Sequence, residues 1–172
     1  MPYIHIQLSG SPDDGLAERV AATAGELTAS LLHKDPAVTA VVVDFIAPAR
    51  WFVGGRALSG AAARSYHWMV SITDETNTKA EKAAYLKAVH EAMQGLLGEV
   101  AEHSYAHVAD LRASAYGYGG LTQERRYQHP RDEAPMETPG RQTPPAGMPA
   151  SSAALPPAAA VLMVRVCSAQ KR

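Results

Sequence analysis

The sequence contains the same order of predicted elements twice, and this repetition constrains the fold more than any other feature. A strand, an amphipathic helix, a second strand and a double-glycine turn are predicted in residues 2–60 and again in residues 64–126. The two turns, Gly54-Gly55 and Gly119-Gly120, lie 65 positions apart. Two strands joined through a helix in this way form a βαβ unit with parallel strands and a right-handed crossover. The sequence therefore predicts a tandem duplication of this unit in one domain, residues 1–126.

The first unit contains clear signals for each of its elements. Alternating apolar and polar residues in PYIHIQLSG predict a strand with one buried face. Ser11 is the predicted N-cap and Pro12 the first residue of a helix that runs from about 12 to about 33. The segment VTAVVVDFI, residues 38–46, is almost continuously apolar, which predicts a strand buried on both faces.

The second unit repeats these signals. RSYHWMVSI, residues 64–72, predicts the third strand. A Thr78–Glu81 capping box precedes the second helix, which Gly98 is expected to end. Residues 104–115 predict the fourth strand, and YGYGG at 116–120 follows it.

The composition changes beyond about Tyr127. Eight of the twelve prolines fall in residues 130–172, mixed with Ala, Ser and Gly and without periodicity. This composition predicts a disordered tail, residues 127–172. Its apolar end, AAAVLMVRVC, could instead form a short strand or helix against a partner.

Charge and cysteine content argue against several classes of function. A net charge of -1 provides no basic surface for nucleic acid or an anionic membrane. No apolar stretch approaches the roughly 20 residues of a membrane span, and no signal peptide is predicted, so we expect a cytoplasmic protein. The single cysteine, Cys167, and the spacing of the seven histidines predict neither a disulfide nor a metal site. We expect no cofactor, and a small molecule or another subunit as partner.

The proline directly after the initiator methionine is a candidate catalyst. Aminopeptidases remove methionine before a small residue such as proline, so we expect a mature chain that begins with the free secondary amine of Pro2. An ordinary α-amine titrates at about 7.7–8.0 and is mostly protonated at neutral pH. Burial or a nearby cation lowers that value and makes the amine a base. Alternatively, Pro2 only begins a strand at a position that needs no N–H.

The Met-Pro start, the βαβ unit of about sixty residues and the turn Trp51–Gly55 together resemble the tautomerase superfamily. The similarity is greatest to 4-oxalocrotonate tautomerase and its fused, double-length relatives, over residues 2 to about 126. This resemblance implies an α/β (α+β) fold in which both units form one four-stranded sheet with two helices on one face. It also implies a homotrimer, and Pro2 as general base in keto-enol tautomerisation of a small conjugated 2-oxo or enol compound.

The resemblance also suggests substrate-binding residues, each with a structural alternative. Trp51 occupies the family's pocket aromatic position, and core packing is its alternative. The arginines with which family members hold dicarboxylates are missing, since Ser11-Pro12 and Ala40 stand at their positions. Arg50, Arg56 and Arg64 are candidate replacement cations, and each could instead be a solvated surface charge. Tyr105 and His107 are candidate hydrogen-bond donors on the fourth strand, where Tyr105 repeats the position of Ala40. Each of these two could instead be a core or interface residue.

Two further comparisons limit the function. The second unit begins with Ser65 and Tyr66, so it should supply no second base. Related decarboxylases and dehalogenases carry arginines near the end of the third strand, where Thr73-Asp74-Glu75 would repel a carboxylate. A tautomerase is therefore favoured. The second hypothesis is a non-catalytic trimeric scaffold or ligand-binding module.

Overall fold

The computed structural model describes residues 2–130, which form a four-stranded sheet with two long helices on one face. Two short 3-10 turns, Pro36–Val38 and Pro48–Arg50, flank the second strand. The elements in chain order are β1 (Tyr3–Ser9), α1 (Asp14–Leu32), β2 (Ala40–Ile46), β3 (Phe52–Val53), β4 (Arg56–Ala57), β5 (Tyr66–Thr73), α2 (Lys79–Leu97), β6 (Tyr105–Leu111), β7 (Gly117–Tyr118), β8 (Leu121–Thr122) and α3 (Gln123–Gln128).

The sheet has the strand order β2-β1-β5-β6. Within each unit the strands are parallel, β1 with β2 and β5 with β6, while the central strands β1 and β5 pair antiparallel. The predicted pair of βαβ units and the predicted sheet are thus confirmed. Because the central pair is antiparallel, β1 and β2 begin at one end of the sheet, and β5 and β6 begin at the other.

The duplication is confirmed element by element. The helices α1 and α2, the strands β2 and β6, and the hairpins β3–β4 and β7–β8 each begin 65 positions apart. In the parallel pairs, Tyr3 lies opposite Ala40 and His67 lies opposite Tyr105. His67 therefore corresponds to Tyr3, and Tyr66 is the second unit's counterpart of Pro2.

The core lies between the helices and one face of the sheet. Alternate residues of β1 and β5 point into it and are fully buried, as are one stripe of α1 and one of α2. Burial of one such apolar side chain stabilises the fold by about 1.5–3 kcal/mol. The residues of the two central strands that form this layer are Ile4, Ile6, Leu8, Tyr66, Trp68, Val70 and Ile72.

The helix ends agree with the sequence in the second unit and differ in the first. The Thr78–Glu81 capping box is present, and Gly98 ends α2 with a φ of 80°. In the first unit, the predicted N-cap Ser11 is wrong. Asp13 caps α1 because its carboxylate accepts the Leu16 N–H at 2.9 Å, so the helix begins at Asp14.

Two predictions about strands are corrected. The second strand is not buried on both faces, since β2 lies at the sheet edge and the helices cover only one face. Its residue Val42 is 39% exposed on the open face. The fourth strand ends at Leu111 rather than at residue 115, because the chain turns there and Ala115 N–H donates to the Arg112 carbonyl at 2.9 Å.

The chain beyond the second unit is described only in part. Helix α3 continues to Gln128, two residues past the predicted domain boundary at 126. The predicted disordered tail, from residue 131 onward, lies outside the described residues. Within residues 2–130, no helix has the length and apolar character that crossing a membrane requires.

The polar contact that joins the two units inside the core gives a stability prediction. The Tyr85 hydroxyl accepts the Trp68 indole N–H at 3.1 Å and lies 3.0 Å from the Thr28 hydroxyl. Tyr85→Phe leaves both partners unsatisfied in the core, so we expect a loss of about 1–3 kcal/mol in the free energy of unfolding. The measurement is chemical denaturation, with Tyr127→Phe, at an 89% exposed position, as the matched control. A Tyr85→Phe protein as stable as this control would contradict the prediction.

Candidate functional site

The predicted site residues are divided between the two ends of the sheet. We call the end at which β1 begins the Pro2 end, and the end at which β5 begins the Trp51 end. Pro2 lies at the first, whereas Arg50, Trp51 and Tyr105 lie at the second.

Pro2 is buried at the start of β1. Its carbonyl accepts the Ala40 N–H at 3.2 Å, which fixes the residue against the start of β2. Tyr3 pairs with Ser71, so continuing the antiparallel register by one residue brings Pro2 opposite Ile72. By strand alternation Pro2 shares the covered face with Ile4. The residue thus occupies a fixed, apolar position, which disfavours charge on a free amine there.

Tyr116 connects the second unit to the backbone beside Pro2. Its hydroxyl donates to the Ser71 carbonyl at 3.2 Å and makes a second hydrogen bond with the backbone of Tyr3. Burial raises the pKa of the Tyr116 hydroxyl, and the bond with Tyr3 partly opposes this effect. The hydroxyl therefore stays protonated at neutral pH and holds the residue after Pro2.

The β7–β8 hairpin brings Tyr116 to this position. Gly119 and Gly120 have φ values of 58° and 78°, a conformation that side chains with a Cβ disfavour. At Gly117, a Cβ would collide with the Leu121 carbonyl oxygen. Tyr116 lies 65 positions after Trp51 and is its counterpart in the second unit. The 65-residue spacing that relates Ala40 to Tyr105 also relates Trp51 to Tyr116, so the repeat could have indicated this tyrosine.

A cavity of about 590 Å³ opens at the Pro2 end, beyond the end of β5. Lys34 lines it together with Thr73, Thr76 and Gln123, and the Lys34 ammonium donates to the Thr76 hydroxyl at 2.9 Å. Burial lowers the pKa of Lys34, while the carboxylates of Glu81 and Asp110 raise it. No sequence motif indicated this lysine, because only the fold brings the end of α1 beside the end of β5.

Two further side chains set the polarity of this cavity. The Gln123 Nε2 is shielded from solvent and has no hydrogen-bond partner among residues 2–130. The carboxylate of Glu124 lines the same cavity. One cation and one carboxylate suit a ligand with a single negative charge better than a dianion.

The Trp51 end holds most of the predicted substrate-binding residues. One cavity of about 260 Å³ is lined by Trp51, Phe52 and Tyr105, among others. A second, of about 330 Å³, is lined by Arg50, Trp51, Phe52 and His67, among others. In this chain, these residues and Pro2 do not form one site.

The remaining predicted residues lie apart from both groups. Arg56 is exposed on β4 and faces Val53 across the hairpin. His107 lies on the open face of the sheet, with its ring centroid 5.2 Å from that of His67. Burial lowers the pKa of His67, and the neighbouring His107 and His5 lower it further. Within the described part of the chain, no group of three or more His, Cys, Asp or Glu side chains could hold a metal ion.

Comparison with solved structures shows which fold this is. A native fused 4-OT matches 72% of this chain and 97% of its own, with a TM-score of 0.63 and 18% identity. The chain has the tautomerase fold. An asymmetric trimer of a fused 4-OT matches 72% of this chain and 97% of its own, with a TM-score of 0.62 and 14% identity.

A protein of a different name with the same fold also matches. The macrophage migration inhibitory factor-like protein of Entamoeba histolytica has a TM-score of 0.58 and 14% identity over 70% of this chain and 97% of its own. No family model and no curated protein matches the sequence. The predicted resemblance is therefore confirmed at the level of the tautomerase fold.

The position of Tyr116 in the tautomerase fold gives a prediction about the start of β1. Tyr116→Phe removes the hydroxyl that bridges Tyr3 and Ser71 but keeps the ring, so the backbone beside Pro2 loses an anchor. We expect hydrogen exchange of the Tyr3 amide to accelerate about tenfold, the equivalent of a lost hydrogen bond of about 1.4 kcal/mol.

The matched control is Tyr105→Phe. The Tyr105 side chain is 66% exposed, and its hydroxyl makes no hydrogen bond with any residue in 2–130. NMR-detected exchange at Tyr3 should be unchanged in this variant. Equal exchange rates for Tyr3 in Tyr116→Phe and in the unmodified protein would exclude the anchoring role.

Proposed function

We propose that this protein is a keto-enol tautomerase, an isomerase in which the nitrogen of Pro2 is the general base. The observation that carries the proposal is the burial of Pro2 at the start of β1 in a tautomerase fold, at the same end of the sheet as a cavity of about 590 Å³. The substrate is a small conjugated 2-oxo or enol compound. The mechanism requires removal of Met1, because an amide nitrogen has no basic lone pair.

The proposed reaction moves one proton within the substrate. The neutral amine of Pro2 takes a proton from the carbon next to a carbonyl, which leaves an enolate and a charged ammonium. The ammonium then returns the proton to another atom of the conjugated system, so the base is regenerated. Burial of Pro2 favours the neutral amine at the start of this cycle.

Lys34 is the group we propose to hold the substrate at this end. Its ammonium lines the cavity, and the hydrogen bond to Thr76 fixes its position. A charge-assisted bond from Lys34 can hold a single carboxylate. Glu124 on the same cavity disfavours a second carboxylate, in agreement with the absence of the two family arginines.

We also propose a cytoplasmic homotrimer. Two of the fused 4-OT structures with this fold are described as trimers, asymmetric and symmetric. The open face of the sheet carries half-buried and exposed residues that no helix covers within residues 2–130, among them Val42, Met69 and His107. Within one chain, the predicted substrate-binding residues lie apart from Pro2: Trp51, Arg50, Tyr105, Arg56 and His107.

The alternative function is a non-catalytic ligand-binding module. It is favoured by the distribution of side chains, since the aromatic and cationic groups predicted to bind substrate lie far along the sheet from Pro2. The two functions differ in whether Pro2 is needed for turnover.

The test of the base is the ketonisation of phenylenolpyruvate, followed by absorbance. Pro2→Ala should lower kcat/KM by about 10²–10⁴, the usual contribution of general acid-base catalysis. Pro12→Ala, at the exposed proline that precedes α1, is the matched control and should retain full activity. Intact mass of each protein establishes that Met1 is removed. Equal rates for Pro2→Ala and the control would favour the non-catalytic module.

The test of Lys34 separates binding from turnover. Lys34→Met removes the proposed carboxylate contact and should raise KM for phenylenolpyruvate about tenfold, with a smaller change in kcat. Lys87→Met, at an exposed position of α2, controls for the change in net charge. If KM changes equally in both variants, the substrate carboxylate is held elsewhere.

A further inference from the structure

The Trp51 end has a surface composition that folding alone does not explain. Five residues form what we call the Trp51 cluster: Arg50, Trp51, Phe52, His67 and Tyr105. They line two cavities, of about 260 and 330 Å³, and both cavities include Trp51 and Phe52. Phe52 is 61% exposed and Tyr105 is 66% exposed. Aromatic rings exposed around a concave surface are typical of ligand sites.

Arg50 supplies a positive charge at this cluster. Its guanidinium is exposed and makes no hydrogen bond or ion pair with the residues that the structure describes. Arginine holds a carboxylate through two parallel hydrogen bonds, which a point charge cannot do. The cation, placed beside Trp51 and Phe52 in the same cavity, therefore suits an anion attached to a flat ring.

The polar groups around Arg50 support the same ligand. His67 lines the cavity with Arg50, and burial lowers the pKa of His67, with His107 and His5 as further causes. At neutral pH its imidazole is therefore uncharged and can donate or accept one hydrogen bond. The Tyr105 hydroxyl is free of hydrogen bonds within residues 2–130.

Three of the five side chains have small counterparts at the Pro2 end, whereas Trp51 and His67 correspond to Tyr116 and Tyr3. The counterparts of Arg50, Phe52 and Tyr105 at the Pro2 end are an alanine, a glycine and another alanine. These counterparts are Ala115, Gly117 and Ala40, respectively.

The position of the proposed base also differs between the two ends. Tyr66 stands at the position of Pro2, and its buried hydroxyl is hydrogen-bonded to His90 Nδ1 at 3.0 Å. The two ends have therefore diverged. The proline is at one end, and Arg50 with the exposed rings of Phe52 and Tyr105 is at the other.

We propose that the Trp51 cluster is a second ligand site, separate from Pro2, which binds a flat aromatic monocarboxylate without transforming it. The ring of the ligand lies against Trp51 and Phe52, and its carboxylate accepts hydrogen bonds from Arg50. The site does not depend on the tautomerase activity, since none of its residues is needed at the Pro2 end of the same chain.

The experiment is a titration of the full-length protein with cinnamate, a flat aromatic monocarboxylate. Calorimetry gives the affinity, and tryptophan fluorescence reports the location. The protein has two tryptophans, of which Trp68 is fully buried in the core and Trp51 lines both cavities. We expect cinnamate to change the fluorescence, and Trp51→Phe to abolish this change. Cinnamamide, which lacks the charge, should bind at least about tenfold more weakly.

Three variants assign the site. Arg50→Gln should weaken cinnamate binding about tenfold, the effect of losing a charge-assisted contact. Arg19→Gln, which removes a charge at an exposed position of α1, should leave the affinity unchanged. Pro2→Ala should also leave it unchanged, so the result is independent of whether Pro2 is a catalytic base.

Several results would overturn the proposal. One is the absence of cinnamate binding at millimolar concentrations. A second is equal affinity in Arg50→Gln and Arg19→Gln, and a third is loss of binding in Pro2→Ala. A fluorescence response that persists in Trp51→Phe would place the ligand elsewhere. If Trp51→Phe or Arg50→Gln instead lowers the apparent mass in sedimentation, the cluster is an interface between copies and not a ligand site.

Discussion

The antiparallel pairing of β1 with β5 is the contact on which the other features of this protein depend. It joins two parallel βαβ units into one sheet and places Ile6 opposite Trp68 at its centre. It also reverses the direction of one unit relative to the other, so that each hairpin reaches the strand start of the opposite unit. For this reason Tyr116 of the second unit anchors the backbone beside Pro2, and Trp51 of the first unit lies near the start of β5.

This arrangement explains how a duplicated chain can carry two unlike ends. If the two units were identical in sequence, both ends of the sheet would have the same side chains. A substitution in one unit therefore changes the side chains at one end only. Pro2 is held in an apolar position, while its counterpart Tyr66 is tied to His90 inside the protein. The exposed aromatic rings and the guanidinium of Arg50, which has no partner within residues 2–130, are at the other end. Catalysis and ligand binding are therefore proposed for different ends of one sheet.

Much of the fold could be predicted from the sequence, because local signals and the core pattern agree. The Thr78 capping box, the stop at Gly98 and the alternation in β1 were all visible. The burial of β2 was not, since an apolar edge strand and a central strand have similar sequences. Site residues were harder still. The sequence does not reveal that each hairpin lies at the strand start of the other unit, so Trp51 could not be separated from Pro2. Lys34 is brought to the Pro2 end only by tertiary packing.

The state of the Pro2 nitrogen is tested by its titration in protein labelled with ¹⁵N-proline, followed by NMR. We expect an amine signal that titrates below the range of ordinary α-amines, about 7.7–8.0, because the buried position disfavours the charged form. A signal that shows an amide to Met1, or an amine that titrates within or above that range, would mean that Pro2 is not a neutral base.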